Sequence, residues 1–278
     1  MSDNVRVAVL FGFGINCDRE TAAVFDMVGG TSERLHVNHL VQGNRSLEEF
    51  DILAVPGGFS FGDHLGSGRL LGNRLRFALR EQLQKFVSSG KPVIGICNGF
   101  QALVKTGLLP GPENASLEPD LIQRASLTLN NTGRYEDRWV TLEFDSESPC
   151  IWTKGIQRIE CPVRHGEGRF VMPTEMELDR LSANHQLTVR YVDPSTESGT
   201  GLSDALLPFP LSPNGSMRNI AGICDPTGLV FGLMPHPEAF YTMWLHPEHT
   251  SMKLNEGEWE GSGLQIFRNA VEYVRSQR

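Results

Sequence analysis

The sequence predicts an α/β protein built on a mainly parallel sheet, and three observations support that fold class. Short apolar runs that suit strands buried on both faces occur at residues 5–11, at 51–55 and directly before Cys97. Stretches with apolar residues at helical spacing separate these runs, and glycine-containing turns follow them. Such alternation places helices on both faces of the sheet and ligands at the carboxyl ends of its strands.

Two helices are predicted between these strands. Residues 18–28 form a helix that ends at Gly29 and Gly30, with Asn16 or Asp18 as its N-cap. Residues 70–87 carry apolar side chains at helical spacing and end near Gly90.

The second half is less regular and predicts an antiparallel extension of the sheet. The expected strands are 140–144, 158–163, 187–192, 220–224 and 229–233. An Asp-Pro-Thr-Gly turn joins the last two of them. Residues 109–119 and 193–214 are predicted loops or lids, and an amphipathic helix begins at about Ser262.

Length and composition exclude several classes of protein. The 278 residues suit one large domain or two small ones, and we expect a single domain over 1–278. The net charge of -8 argues against a nucleic-acid partner. No basic-apolar leader and no apolar run of membrane-spanning length is evident, so we expect a cytoplasmic protein without a membrane partner. Five scattered cysteines without a C-x-x-C pair argue against a disulfide framework and against a metal site.

Cys97 is the candidate nucleophile. It follows a predicted strand, precedes a predicted helix and has Gly95 and Gly99 two residues to either side. Such glycines permit the sharp bend of a nucleophile elbow. The positive end of the following helix favours the reactive thiolate. The alternative is a small buried cysteine in a core strand.

His236 and Glu238 are the candidate proton carrier and its orienting carboxylate. They lie two residues apart after a predicted strand, so both side chains can project to one side. Prolines on both sides of His236 stiffen the segment. An H-x-E pair also arises often by chance, and its place at a strand end is what favours the catalytic interpretation.

Donors for an oxyanion are expected from two turns. Gly58, with Gly57 or Phe59 beside it, follows the second predicted strand, and Asn98 follows the nucleophile. The segment lacks the Gly-Lys-Ser/Thr ending of a phosphate loop. An ordinary glycine-rich turn is the alternative.

Together these motifs resemble the class I glutamine amidotransferase family, whose G-x-C-x-G-x-Q and H-P-E signatures match residues 95–101 and 236–238. Within it, the chain is most similar to the glutaminase subunits of phosphoribosylformylglycinamidine synthase. Further motifs in the same order carry that similarity: residues 16–18, 56–63, 165–170 and 214–216. The fold implied is a flavodoxin-like, mainly parallel central sheet flanked by helices, with an antiparallel extension. The chain departs from the family at Phe13 and Ala239, outside the triad.

The resemblance implies that Cys97 attacks the side-chain amide of L-glutamine, with His236 as general acid and base and Glu238 as its orienting group. Gly58 and Asn98 would form the oxyanion hole, and Gln101 would help to hold glutamine. The ammonia would pass to a large ATP-dependent subunit that amidates formylglycinamide ribonucleotide, with or without a small third subunit. ATP and Mg²⁺ would bind that partner, and no cofactor is expected in this chain.

Other conspicuous residues have weaker claims. His165 and Glu167 either line the site, meet a partner or form a structural turn. Cys17, like the three remaining cysteines, is expected to be a packing residue. The residues 241–261, with a second His-Pro-Glu, are expected to form a solvated loop rather than a metal site.

Three other functions remain open at this stage. One is a glutaminase of another amidotransferase pathway. Another is a free-standing cysteine hydrolase of the related protease-like branch, which usually has histidine where Asn98 stands. The last is a non-catalytic regulatory subunit, against which the intact Cys97, His236 and Glu238 argue.

Overall fold

A computed structural model describes residues 4–112, 122–199, 202–252 and 259–278. Its strands are β1 (Val5–Phe11), β2 (Gly30–His36), β3 (Ile52–Val55), β4 (Val93–Ile96), β5 (Ser126–Thr128), β6 (Glu136–Phe144), β7 (Arg158–His165), β8 (Arg169–Val171), β9 (Val189–Val192), β10 (Ile220–Cys224) and β11 (Val230–Leu233). Its helices are α1 (Asp18–Met27), α2 (Val37–Val41), α3 (Arg69–Ala78), α4 (Arg80–Ser88), α5 (Asn98–Thr106), α6 (Glu175–Ala183) and α7 (Leu264–Ser276).

One mixed sheet organises the described ranges, in the order β2-β1-β3-β4-β11-β10-β9-β6-β7. The five strands from β2 to β11 are parallel to their neighbours, and the pairs from β11 to β7 are antiparallel. β5 and β8 form a separate antiparallel pair. The predicted parallel sheet with an antiparallel extension is therefore confirmed.

The central strands are short and buried on both faces. Every residue of β3, β4 and β11 is buried, as the continuous apolar runs predict. β11 pairs with β4 and β10, so a strand from the end of the chain lies between strands from its first and second halves. This insertion brings the end of β11 beside the end of β4.

Helices pack around this sheet in two groups. α1 contacts α7, where the rings of Phe25 and Phe267 meet edge to face at 5.0 Å. α3 packs on α5, and Gly72 permits the close approach because a Cβ there would lie 2.6 Å from the Cβ of Lys105. Within the described ranges no helix combines the length and apolar character that a bilayer crossing requires.

The predicted turn between the last two strands is confirmed. β10 and β11 form an antiparallel pair, and the turn closes with a 3.0 Å bond from Gly228 N to Asp225 O. The Asp225 carboxylate also accepts hydrogen bonds from Thr227 and Val230 N. These bonds offset its burial, which raises the pKa of Asp225.

The sequence predictions were wrong at the N-cap of α1, which is Cys17, and over one predicted helix, and they missed several elements, β2 among them. The single helix predicted over 70–87 is two helices, because Leu79 leaves helical geometry with φ -121° and ψ 11°. Apolar spacing runs through this break, since Leu75, Leu79 and Leu83 are all buried. β2 was not predicted, because this edge strand is mostly polar and only Leu35 is fully buried.

The predicted loops are partly tested. Part of 109–119 lies outside the described residues. The described part of 193–214 has no helix or strand, but Arg190 pairs with Asp204 at 2.7 Å, and Asn219 holds the backbone of Leu207 and Ala205.

The described part of 241–261 is mostly exposed or half-buried, as predicted for a solvated loop, with His246 as an exception; residues 253–258 lie outside the described residues. His246 is buried beside Trp139, and its Nε2 lies 2.6 Å from Glu160 Oε2.

Candidate active site

Cys97 occupies the predicted elbow between β4 and α5. Its backbone has φ 51° and ψ -106°, a region that L-residues rarely adopt. A hydrogen bond of 2.8 Å from Cys97 N to Leu233 O ties the bend to the end of β11. A Cβ at Gly99 would lie 1.7 Å from Val55 O, and one at Gly95 would lie 2.8 Å from the Gly99 backbone. Both glycines are therefore required by close backbone approach.

His236 and Glu238 form a buried hydrogen-bonded pair just after β11. His236 Nδ1 lies 2.6 Å from Glu238 Oε1, and the residues are 2% and 1% exposed. His236 N donates to Pro162 O at 2.8 Å, which fixes the backbone of the segment. Within the described residues, His236 Nε2 and Glu238 Oε2 have no hydrogen-bond partner.

The charge of this pair is set by two opposing effects. Burial disfavours the charged imidazole, but the negative charges of Glu238 and Cys97 outweigh it and raise the pKa of His236 well above its ordinary value. The site therefore favours the imidazolium form of His236.

Cys97 and His236 line one open pocket of about 270 Å³. Its other lining residues are Asn16, Cys17, Glu20, Gly58, Phe59, Tyr135 and Arg164. The two side chains approach each other across Gly57. A Cβ there would lie 2.8 Å from His236 Cε1 and 3.4 Å from Cys97 Cβ.

The backbone around Gly57 orients a potential oxyanion donor. Gly57 O accepts hydrogen bonds from Asn16 N at 3.3 Å and Cys17 N at 3.2 Å. Because the peptide is trans, the following Gly58 N–H points away from those two residues. Phe59 N already donates to Gly14 O at 2.9 Å, so it is not the adjacent donor that the sequence suggested. Gly58 and Asn98, the first residue of α5, remain as candidates.

Asn98 and Gln101 belong to a hydrogen-bond network beside the pocket. Asn98 Oδ1 accepts from Ser60 N at 3.1 Å, and its Nδ2 donates to Asp63 and to Gln101 Oε1. Gln101 Nε2 donates to Glu167 O at 2.6 Å. Both ends of the Gln101 amide are thus engaged by protein, and Gln101 does not line the pocket.

His165 and Glu167 do not line the pocket. Burial and the charge of His236 lower the pKa of His165 to about 3, so its imidazole stays neutral. His165 Nδ1 lies 3.2 Å from Asn130 Oδ1, and its ring covers Gly168. Glu167 accepts from Ser67 N at 3.2 Å. These contacts are typical of a structural turn, because they join residues 165–168 to Asn130 and Ser67.

Cys17 is the site residue that the sequence analysis missed. It lines the pocket, and its sulfur groups with His236 and Glu238 within 4.8 Å. Burial raises the pKa of the Cys17 thiol. Residues 16–18 form one of the motifs that carry the family resemblance, but nothing local shows that Cys17 reaches the site, because the bonds from its loop to Gly57 O are tertiary contacts. The expected role of Cys17 as a mere packing residue is therefore wrong.

Residues 4–274 match the family of the CobB/CobQ-like glutamine amidotransferase domain. The chain belongs to this family. The predicted resemblance is thereby confirmed.

Curated relatives cover nearly the whole chain. The phosphoribosylformylglycinamidine synthase subunit PurQ of Dehalococcoides mccartyi is 42% identical, with 98% of each chain covered. PurQ of Methanococcus maripaludis is 40% identical, with 96% of this chain and 97% of the relative covered.

Solved structures agree with this assignment. A chain in the structure of PurLQS from Thermotoga maritima matches with a TM-score of 0.67 and 25% identity, covering 97% of this chain and 98% of that one. A glutamine amidotransferase from the same organism matches with a TM-score of 0.51 and 16% identity, covering 98% of each chain, and supports the fold alone.

Proposed function

We propose that this chain is the glutaminase subunit of phosphoribosylformylglycinamidine synthase and releases ammonia from L-glutamine for purine biosynthesis. The observation that carries the proposal is the strained Cys97 elbow, which shares one pocket with the buried His236–Glu238 pair. Relatives named for this subunit match over nearly their full length.

In the first step the Cys97 thiolate attacks the side-chain carbonyl of glutamine. The carbonyl π electrons move to oxygen, and Gly58 N–H and Asn98 N–H stabilise that charge. The His236 imidazolium then donates its Nε2 proton to the departing nitrogen, so that ammonia leaves and a glutamyl thioester remains on Cys97.

In the second step water hydrolyses the thioester. Neutral His236 takes a proton from the water as it attacks, and the thiolate leaves as glutamate forms. Glu238 holds Nδ1–H throughout, which keeps Nε2 facing the reacting atoms.

The ammonia is used by a partner, since a match to a chain of PurLQS indicates an assembly of this kind. We propose a large ATP-dependent subunit that amidates formylglycinamide ribonucleotide, with ATP and Mg²⁺ bound there. The proposal holds with or without a small third subunit.

The chain works as one domain in this proposal. Residues 1–278 are assigned to it because β11 lies between β4 and β10 in a single sheet. All five cysteines are free, which suits the reducing cytoplasm that we propose as its location.

Replacement of Cys97 by alanine tests this function in the reconstituted complex. Amidation with glutamine should fall to background, while amidation with added ammonia should continue, because the synthetase chemistry does not need the thiol. Cys224→Ser is the matched control, since that thiol lies outside the pocket, and it should retain both activities. Glutamate release by Cys97→Ala would refute the assigned nucleophile.

A further inference from the structure

The pocket holds a second thiol beside its imidazole. Cys17 Sγ, a ring nitrogen of His236 and a carboxylate oxygen of Glu238 lie within 4.8 Å of one another. Cys97 lines the same pocket. Thiolates and imidazole are the ligands that soft divalent cations such as Zn²⁺ prefer.

His236 is already oriented as a metal ligand. Its Nδ1 is held by Glu238 at 2.6 Å, while its Nε2 is buried and has no hydrogen-bond partner among the described residues. The carboxylate on Nδ1 leaves Nε2 as the nitrogen that can coordinate a metal once it has lost its proton, as in carboxylate–histidine–zinc units. This unpartnered nitrogen distinguishes the cluster from an accidental grouping.

We propose that Cys17, His236 and Cys97 form an inhibitory binding site for Zn²⁺, with Glu238 orienting the imidazole. Zinc–ligand bonds of 2.0–2.3 Å in a tetrahedral site place neighbouring sulfur and nitrogen ligands ~3.5 Å apart. The three groups already within 4.8 Å of one another are Cys17, His236 and Glu238, so Cys97, which lines the same pocket, joins the ligand set by rotation of its side chain. This assignment departs from the expectation, drawn from cysteine spacing, that the chain carries no metal site.

Binding would block glutaminase chemistry directly. Each cysteine thiol releases its proton to solvent when its sulfur coordinates the cation, and the His236 imidazolium releases its Nε2 proton in the same way. The cation then occupies Cys97 Sγ, which attacks glutamine, and His236 Nε2, which transfers the proton. The inhibitory effect rests on the proposed function, whereas the binding itself rests on geometry alone.

A second acidic group does not carry a similar proposal. Asp145, Glu147 and His185 also lie within 4.8 Å of one another, but Glu147 is exposed. His185 uses Nδ1 on Asp145 at 2.9 Å. None of the buried side-chain atoms of these three residues lacks a hydrogen-bond partner, so no observation there indicates a ligand.

Metal binding is tested on the isolated chain with Co²⁺ as a spectroscopic probe and Zn²⁺ as its competitor. The wild type should bind one equivalent and show thiolate-to-cobalt charge-transfer absorption. Cys17→Ser and His236→Ala should each weaken binding at least about tenfold, the scale on which a zinc site responds to altered ligation. Cys224→Ser keeps all three ligands and should bind as the wild type does.

Inhibition is tested on the complex with its synthetase. Zn²⁺ should suppress glutamine-dependent amidation, a chelator should restore it, and ammonia-dependent amidation should persist. Cys17→Ser should need at least about tenfold more Zn²⁺ for the same fractional inhibition. Both measurements are repeated on Cys17→Ala, which lacks the hydroxyl that the serine variant introduces. Circular dichroism verifies the fold of each variant.

Absence of Co²⁺ and Zn²⁺ binding in the wild type would overturn the proposal. If Cys17→Ser and Cys17→Ala both bound the cation with wild-type affinity, the proposal would be overturned as well, because the cation would then be held elsewhere. Equal inhibition of the ammonia-dependent reaction would place the cation on the synthetase and refute the inhibitory role. Metal binding is measured without turnover. Failure of the glutaminase assignment can therefore be distinguished from failure of the metal-site proposal.

Discussion

Gly57 lies where the side chains of the site leave no room for a Cβ atom. A methyl group there would lie 2.8 Å from His236 Cε1 and 3.4 Å from both Cys17 Sγ and Cys97 Cβ. Gly57→Ala should therefore displace the imidazole and lower glutamine-dependent kcat by at least about 10²-fold, the scale of general acid–base catalysis. Ammonia-dependent activity should not change.

Steady-state kinetics of the complex with each nitrogen source measure this effect. Gly43→Ala is the matched control, because a Cβ at Gly43 meets nothing within 4 Å. A fully active Gly57→Ala enzyme would show that the imidazole does not act in the observed position.

The carboxylate of Glu238 raises the pKa of His236, although burial opposes that effect. Glu238→Gln removes the negative charge, so the pKa of His236 should fall. Because the imidazolium must protonate the departing ammonia, the alkaline limb of the pH–rate profile should move to lower pH. The rate at its optimum should also fall about 10²-fold. A profile of glutamine-dependent kcat/KM against pH would refute the assigned role if its alkaline limb did not move.

At the scale of elements, the junction of β4 and α5 depends on backbone contact. A Cβ at Gly99 would lie 1.7 Å from Val55 O in the neighbouring strand. Gly99→Ala should therefore destabilise the fold by about 3 kcal/mol or more, the upper range for overpacking. Gly155→Ala, where a Cβ meets nothing within 4 Å, should lose only the ~1–2 kcal/mol of its left-handed backbone. Urea unfolding of both variants makes the comparison, and equal losses would contradict the account of the elbow.

Elements with strong local signals were predictable. The fully buried β3 and β4 appear in the sequence as continuous apolar runs, and α7 shows helical apolar spacing. β2 has no such signal, because its burial comes from pairing with β1 at the sheet edge. The break at Leu79 is likewise invisible, since a buried leucine satisfies the helical pattern on either side.

The candidate site was predictable only where one segment carries the chemistry. The Cys97 elbow and the His236–Glu238 pair are each encoded within a few residues. Cys17 reaches the site because its backbone and that of Asn16 bond to Gly57 O, a contact that no local pattern contains. A second tertiary hydrogen bond, from Phe59 N to Gly14 O, engages the Phe59 amide, so Phe59 is not an oxyanion donor.

At the scale of the whole molecule, the segments 13–14 and 57–63 beside the pocket, called its rim below, carry exposed rings and left-handed backbone. Phe13 and Phe59 are 40% and 47% exposed, and Phe61 and Asp63 have left-handed backbones. We expect the isolated chain to hydrolyse glutamine poorly and the synthetase to raise kcat/KM at least tenfold by ordering this rim. Glutamate release measured with and without the synthetase tests this expectation. Full activity of the chain alone would contradict it.

The acid stability of the whole chain should depend on His165. Its pKa falls from an ordinary value of 6.5 to about 3 in the fold, so the unfolded chain binds the proton more tightly. This contribution is complete above pH 6.5 and is lost as the pH falls towards 3. Between pH 7 and pH 5 the loss is about 2 kcal/mol. Urea unfolding at both values should show a smaller pH dependence for His165→Asn, and an unchanged dependence would contradict the burial of a neutral imidazole.

Labelling with a diazoketone analogue of glutamine tests the central claim most directly, because the pocket offers two thiols. The elbow and the imidazole activate Cys97, whereas burial raises the pKa of Cys17. Peptide mass spectrometry of the labelled complex should find the adduct on Cys97, with excess glutamine preventing it and His236→Ala slowing it. An adduct on Cys17, with Cys97 unmodified, would contradict the assignment of the nucleophile.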